Sequence, residues 1–117
     1  MNAETIREYC LKKKGVTESL PFDEVSPVYK VMNKMFLICS LDVPCSINVK
    51  CDPELAIELR ERYDEVIPGY HMNKTHWNTV DIEGTLPPKK IFEMIDHSYD
   101  LIVQSLKKKE REELEKL

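Results

Sequence analysis

Apolar residues along this chain repeat first at helical spacing, then at strand spacing, and return to helical spacing at the end. Ile6, Tyr9, Cys10 and Lys13 recur three and four residues apart, which predicts a helix over residues 3–13 with a narrow apolar stripe. Asn2 can accept from the free N–H groups at its start. Lys12, Lys13 and Lys14 suit the negative end of its dipole, and Gly15 suits its stop. Residues 19–27 contain Pro21 and Pro27 and read as a loop. Strands are then expected at 28–32, 35–41 and 45–50, joined by a tight turn at Asn33-Lys34 and a second turn at 42–44. Turns this short imply an antiparallel meander.

Asp52 followed by Pro53 is a helix start, an N-cap with proline at the first helical position. This helix should reach about Tyr63 and bury Leu55, Ala56, Leu59 and Tyr63. Pro68-Gly69 marks a turn. A short strand at 70–72 is expected to pair with one at 76–82 across Asn73-Lys74. Gly84 and the Pro87-Pro88 pair end the sheet and open the last helix, where Ile91, Met94, Ile95, Tyr99, Ile102 and Leu106 keep a helical period. Ser98 can act as an N-cap, so a break near His97-Ser98 belongs to this reading. The order α-β-β-β-α-β-β-α predicts an α+β fold of two layers. A five-stranded antiparallel sheet carries helices on one face, and its other face is open or covered by a partner. Residues 1–106 form the single domain. Residues 107–117 are nearly all charge, with five basic and four acidic side chains, and read as a solvated helical extension or a frayed end.

Side chains alternate along a strand, so parity sorts the two faces. Cys45, Ile47 and Val49 oppose Ser46, Asn48 and Lys50, while Val80 and Ile82 oppose Trp77, Thr79 and Asp81. The polar parity is the open face, and it carries the single tryptophan. In the preceding strand, Met35, Leu37, Cys39 and Leu41 oppose Phe36, Ile38 and Ser40. Strict alternation puts Phe36, Ile38, Trp77 and, from the first strand, Tyr29 on the open face among hydroxyl, amide and lysine groups. An exposed aromatic patch with a polar rim marks a binding surface.

At 117 residues, 42% of them hydrophobic, the chain can bury a core without disulfides or metal. No apolar run approaches the length of a membrane span, and the first 15 residues lack the apolar segment of a signal peptide. A cytoplasmic protein without membrane contact is expected. In a reducing compartment Cys10, Cys39, Cys45 and Cys51 stay free thiols, and their spacing contains no CxxC pair. His71 and His76 stand five apart with no cysteine or carboxylate at ligand spacing, so no metal is expected. His97 and Ser98 are adjacent on a helix and do not face each other. There is no GxSxG motif, and three glycines cannot build a phosphate loop. The chain is therefore read as not an enzyme, with no catalytic residue and no cofactor.

The formal net charge of −4 disfavours strong non-specific binding to nucleic acid or anionic membrane. Its distribution is uneven. Residues 26–51 hold Lys30, Lys34 and Lys50 against Asp42 alone, and residues 66–80 hold Lys74 with two histidines and no acid. Acids gather instead in and after the second helix, at Glu54, Glu58, Glu61, Asp64 and Glu65. A locally basic sheet edge beside an aromatic can hold phosphates and stack a base.

Three stretches resemble the MmcQ/YjbR family. The first is PGYHMNKTHWNTVDIEG at 68–84, with its proline-glycine, Lys74, His76-Trp77 and a valine-aspartate-isoleucine strand. The second is LPPKKIFEMIDHSYDLIVQSL at 86–106, in which Ser98-Tyr99 looks like the family's serine-tyrosine. The third is the strand pair running from VYKVMNKMFLICSL to SINVKCDPE, with Lys34 and Lys50 at positions similar to the family's lysines. The resemblance leaves out only the charged tail. It implies the same element order in a fold called CyaY-like, and DNA binding through a double-wing arrangement of hairpins. By that resemblance Lys34, Lys50, Lys74, His76 and Trp77 are the nucleic-acid-binding positions. The second reading is a protein-interaction or small-ligand-binding module that uses the open sheet face without catalysis. Its partner would be a protein or a small ligand rather than DNA, and either module would act as a monomer or weak homodimer.

Overall fold

The computed structural model describes residues 1–20, 26–70 and 72–117. Helix α1 (Ala3–Leu11) starts where Asn2 Oδ1 accepts from the Thr5 amide at 2.9 Å, and it buries Ile6 and Cys10. Gly15 follows at φ +74°, a left-handed conformation that favours glycine. The chain then enters β1 (Val16–Ser19), a strand that the sequence pattern does not announce because Val16 is its one apolar residue. Strands β2 (Val28–Val31), β3 (Lys34–Ser40) and β4 (Ser46–Lys50) form the expected meander. Met32 and Asn33 make the first hairpin turn, both at positive φ, as a type I′ two-residue loop requires. The turn therefore lies one residue earlier than expected, and Lys34 opens β3.

Helix α2 (Pro53–Arg62) is capped by Asp52, whose carboxylate accepts from the Leu55 amide. The strand before β6 (Trp77–Asp81) is β5 (Val66–Pro68), not the strand expected at 70–72. Residue 71 of that expected strand, and residues 21–25 of the expected loop, lie outside the described residues. Helix α3 (Pro88–Ser105) runs without a break at His97-Ser98, and the tail forms a further helix, α4 (Lys108–Glu115). The six strands are ordered β1-β2-β3-β4-β6-β5, each neighbouring pair antiparallel. Among the described residues the sheet thus has six strands rather than five.

One sheet face carries Leu37, Cys39, Ile47, Val49, Val66 and Val80, which pack with Ile6 and Cys10 of α1 and Ile91, Ile95 and Ile102 of α3. All four helices of the described residues lie on this face. Arg7 of α1 meets Glu18, Arg60 of α2 meets Asn78, Tyr99 of α3 meets Phe36, and Leu114 of α4 is buried in the same core. The helix ends two residues short of Lys13, but Tyr9 and Lys13 both reach Asp96 of α3, at 2.7 and 2.5 Å, so the lysine still faces the helix layer with the apolar stripe of α1. Strict alternation fails at β3. Tyr29 pairs with Leu37 but Lys30 pairs with Met35, so Phe36 is an extra residue in a bulge. The Phe36 ring therefore turns to the helices and meets Tyr99 edge-on, with centroids 5.4 Å apart. Tyr29, opposite Leu37, is also buried. The aromatic patch expected on the open face accordingly loses both Phe36 and Tyr29 and keeps Ile38 and Trp77.

Leu114 gives the tail its anchor. A Cβ placed on Gly15 would meet Leu114 Cδ1 at 2.5 Å, which shows how tightly α4 closes over the end of α1. Leu114→Ala is expected to lower the unfolding free energy by about 2–3 kcal/mol, read from urea denaturation, because the cavity it leaves lies against Gly15. A shift under ~0.5 kcal/mol would mean that the tail is not part of the folded core.

Candidate nucleic-acid interface

The helix-free face of the sheet is divided by charge. At one end, β3 begins, β4 ends and β6 begins. There Lys50 pairs with Trp77 across β4 and β6, both half-buried and directed away from the helices, since the adjoining pair Val49 and Asn78 points toward them. Thr17, Lys30 and Met35 form the matching outward row on β1, β2 and β3. His76, exposed, immediately precedes Trp77, and Lys74 lies in the turn before it. Lys34 stands at the same end but pairs with Val31, a core residue, so it leaves the sheet on the helix side. The five positions drawn from the sequence therefore share one end of the sheet without sharing one face. Lys30, not among them, is the lysine that lies on the face of Lys50 and Trp77.

At the opposite end the same face forms a concavity of about 540 Å³, lined by Asp42, Asp64, Glu65 and Asp81 beside Ser46 and Thr79. Hydrogen bonds from the Thr85 side chain hold the Glu65 carboxyl below the usual carboxylate range. Between the two ends, Thr79 Oγ1 donates to Asn48 Oδ1 at 2.6 Å and accepts from the Tyr70 amide at 2.9 Å, which pins the residues after β5 across the sheet.

Arg60 of α2 holds the loop that carries Lys74 and His76. Its Nε donates to Asn78 Oδ1 at 2.7 Å, and its guanidinium also donates to the carbonyls of Lys74 and Trp77. Lys74 Nζ in turn donates to the Gly69 carbonyl at 3.0 Å. The loop is thus clamped from inside by a planar, multiply donating cation. Ser98 does the comparable work between β3 and β4. Its hydroxyl donates to the Phe36 carbonyl at 2.6 Å and accepts from the Lys50 amide at 2.8 Å. The β3–β4 pairing stops at Leu37 and Val49, so this buried serine satisfies the two backbone groups just beyond it. It is not a helix cap.

A family model described as YjbR matches residues 11–101 of this chain. The chain belongs to the YjbR family. It is 32% identical over 118 residues to the uncharacterized protein YjbR of Escherichia coli strain K12, covering all of both chains. It is also 32% identical over 110 residues to the uncharacterized protein YbdF of Escherichia coli O157:H7, covering 92% of this chain and 89% of that one. The crystal structure of Deinococcus radiodurans protein DR2400 superposes with a TM-score of 0.90 at 33% identity, covering 97% of this chain and 87% of that one. In this YjbR-family chain the serine-tyrosine pair is structural, Ser98 between two strands and Tyr99 against Phe36 with its hydroxyl donating to the Lys14 carbonyl.

Among the described residues of this YjbR-family protein no group of histidines, cysteines and carboxylates could hold a metal ion, and no helix is long and apolar enough to cross a membrane. Burial pushes the thiols of Cys10 and Cys39 up to about 12 and that of Cys51 up to about 11. Burial and the hydrogen bond to Asp96 push the Tyr9 hydroxyl up to about 12. Folding favours the protonated form of each group, so this contribution to stability is complete below the ordinary values of 9 for a thiol and 10 for tyrosine. It is lost as pH rises through about 11–12. Denaturant midpoints are expected to fall steadily above about pH 9. A midpoint that stays level to about pH 11 would contradict this account of the buried thiols.

Proposed function

We propose that this protein binds nucleic acid, DNA in particular, at the Lys50–Trp77 end of its helix-free sheet face. Lys50 supplies a cation to phosphate, and Trp77 supplies a stacking surface for a base. Lys30, Lys74 and His76 extend the basic end, and Lys34 reaches phosphate from the neighbouring hairpin. The observation that carries the reading is the cross-strand pairing of Lys50 with Trp77 on a face that none of the four helices covers. The acidic concavity at the far end repels the phosphate backbone and confines the footprint to the basic end. The overall charge of −4 then predicts modest affinity with strong salt dependence. No catalytic step belongs to this proposal, and a cytoplasmic location accords with it. The alternative protein- or ligand-binding reading relied on an aromatic patch from which Tyr29 and Phe36 are withdrawn into the core, and it is the weaker of the two.

Trp77 is the only tryptophan, so its emission reports on this face alone. Titration with a single-stranded oligonucleotide at low salt is expected to quench it, and Trp77→Leu is expected to weaken binding about tenfold, the loss of one stacked base. Binding with unchanged emission would move the interface elsewhere.

A further inference from the structure

On the helix side of the sheet, between α2 and α3 and beside the end of β4, lies a separate pocket of about 170 Å³. This compares with the ~150 Å³ of an apolar cavity that accepts a benzene ring. Leu55 and Leu59 of α2, Met94 of α3 and Val49 of β4 give it apolar walls. Asn78 and His97 belong to the same lining and bring neutral hydrogen-bond donors to it.

Asn78 is 1% exposed and lines the pocket from β6. Its Oδ1 is committed to Arg60 Nε, which fixes the orientation of the amide and leaves its NH2 without an acceptor among the described residues. His97 lines the pocket from α3. Its Nε2 accepts from the Asp52 amide at 3.1 Å, so the ring N–H is on Nδ1, which also has no acceptor among the described residues. Both residues line the pocket, where an acceptor on a bound molecule can meet the two donors.

Charge decides what kind of acceptor fits. The lining cations on the two helices are already paired, Arg62 with Glu58 at 2.8 Å and Lys90 with Glu93 at 3.4 Å. Lys50 directs its side chain to the other face of the sheet, with Trp77. A carboxylate would enter without a free counter-charge, at a large desolvation cost. A neutral acceptor carries no such cost.

We propose that this pocket binds a neutral, ring-sized molecule bearing a carbonyl-type acceptor, with Asn78 and His97 as donors and the leucine walls against the ring. The pocket lies on the opposite side of the sheet from the nucleic-acid face, so the two readings stand or fall separately.

The test is a titration of the full ¹⁵N-labelled chain with acetophenone and, in parallel, with ethylbenzene, which has nearly the same shape without the acceptor. Acetophenone is expected to move the Asn78 side-chain NH2 signals together with the backbone amides of Val49, Cys51 and Leu59, and to bind about tenfold more tightly than ethylbenzene. Leu59→Phe, which fills the pocket, is expected to abolish these shifts while the spectrum keeps its folded dispersion. Three results would overturn the proposal: Asn78 signals that stay in place up to the solubility limit of acetophenone, equal affinity for ethylbenzene, or perturbed signals mapping to the helix-free face. The comparison of the two ligands on the wild-type chain decides the matter even if the variant fails to fold.

Discussion

Ser98→Ala is expected to destabilise the protein by about 2–5 kcal/mol, a large share of the ~5–15 kcal/mol that holds a typical domain together. The hydroxyl is fully buried and bonds two main-chain groups at once, the Phe36 carbonyl and the Lys50 amide. Removing it leaves both without partners in a place water does not reach, at about 1–3 kcal/mol each. The site lies where β3 carries the bulge at Phe36, so the strands cannot supply the bonds themselves. Lys50 is the next residue to feel the change, because its backbone is held at that point. The measurement is urea denaturation of Ser98→Ala beside Ser105→Ala. Ser105 merely donates to the Ile102 carbonyl one turn back on its own helix, and its loss should stay within ~0.5 kcal/mol. Equal, small effects at both positions would remove the special role assigned to Ser98.

Arg60→Ala comes next in size, at about 2–4 kcal/mol, since hydrogen bonds from a charged donor are worth about 1.5–3 kcal/mol each and Arg60 makes them to Asn78, Lys74 and Trp77. Asn78 Oδ1 would be left buried without a donor. The more informative consequence is functional. The backbone of Lys74 and Trp77 is positioned by this guanidinium, so nucleic-acid binding should weaken although Arg60 itself is not placed on the binding face. Arg60→Lys keeps the charge but not the planar fork, and should recover less than half of the lost stability. Full recovery by lysine would mean that charge alone, not the geometry of the clamp, holds the loop.

Much of this architecture is legible in the sequence because the chain marks it with local chemistry. Asn2 and Asp52-Pro53 announce helix starts that the hydrogen bonds confirm, and the alternation in Cys45–Lys50 and Trp77–Ile82 sorts the two faces correctly. Each failure has a physical reason. Strand β1 exists because its backbone pairs with β2, and a single apolar residue, Val16, cannot signal that. Strand β5 ends in a proline that reads as a turn, yet an edge strand tolerates proline. The Phe36 bulge breaks the parity on which the aromatic patch was built. The role of Arg60 is not legible in the sequence, because two of its three partners are main-chain carbonyls, which no side-chain pattern reveals. Ser98 reads as a cap because a serine inside an amphipathic helix carries the same signal whether it ends the helix or reaches into the sheet. Of the candidate site, local charge and the family motif mark Lys50, Trp77, Lys74 and His76, whereas only the strand register places Lys30 on the face of Lys50 and Trp77.

The central functional claim is that a basic end of the helix-free sheet face holds phosphate and an acidic end repels it. Fluorescence anisotropy of labelled single-stranded and duplex DNA, at low and at physiological salt, tests this most directly when three proteins are compared. These are the wild type, a Lys30→Ala/Lys50→Ala/Lys74→Ala variant, and an Asp42→Asn/Asp64→Asn variant. The account predicts wild-type binding that weakens with salt, loss of binding and of its salt slope without the lysines, and tighter binding once the acids are neutralised. No binding by the wild type at low salt, or binding indifferent to both sets of charges, would contradict it.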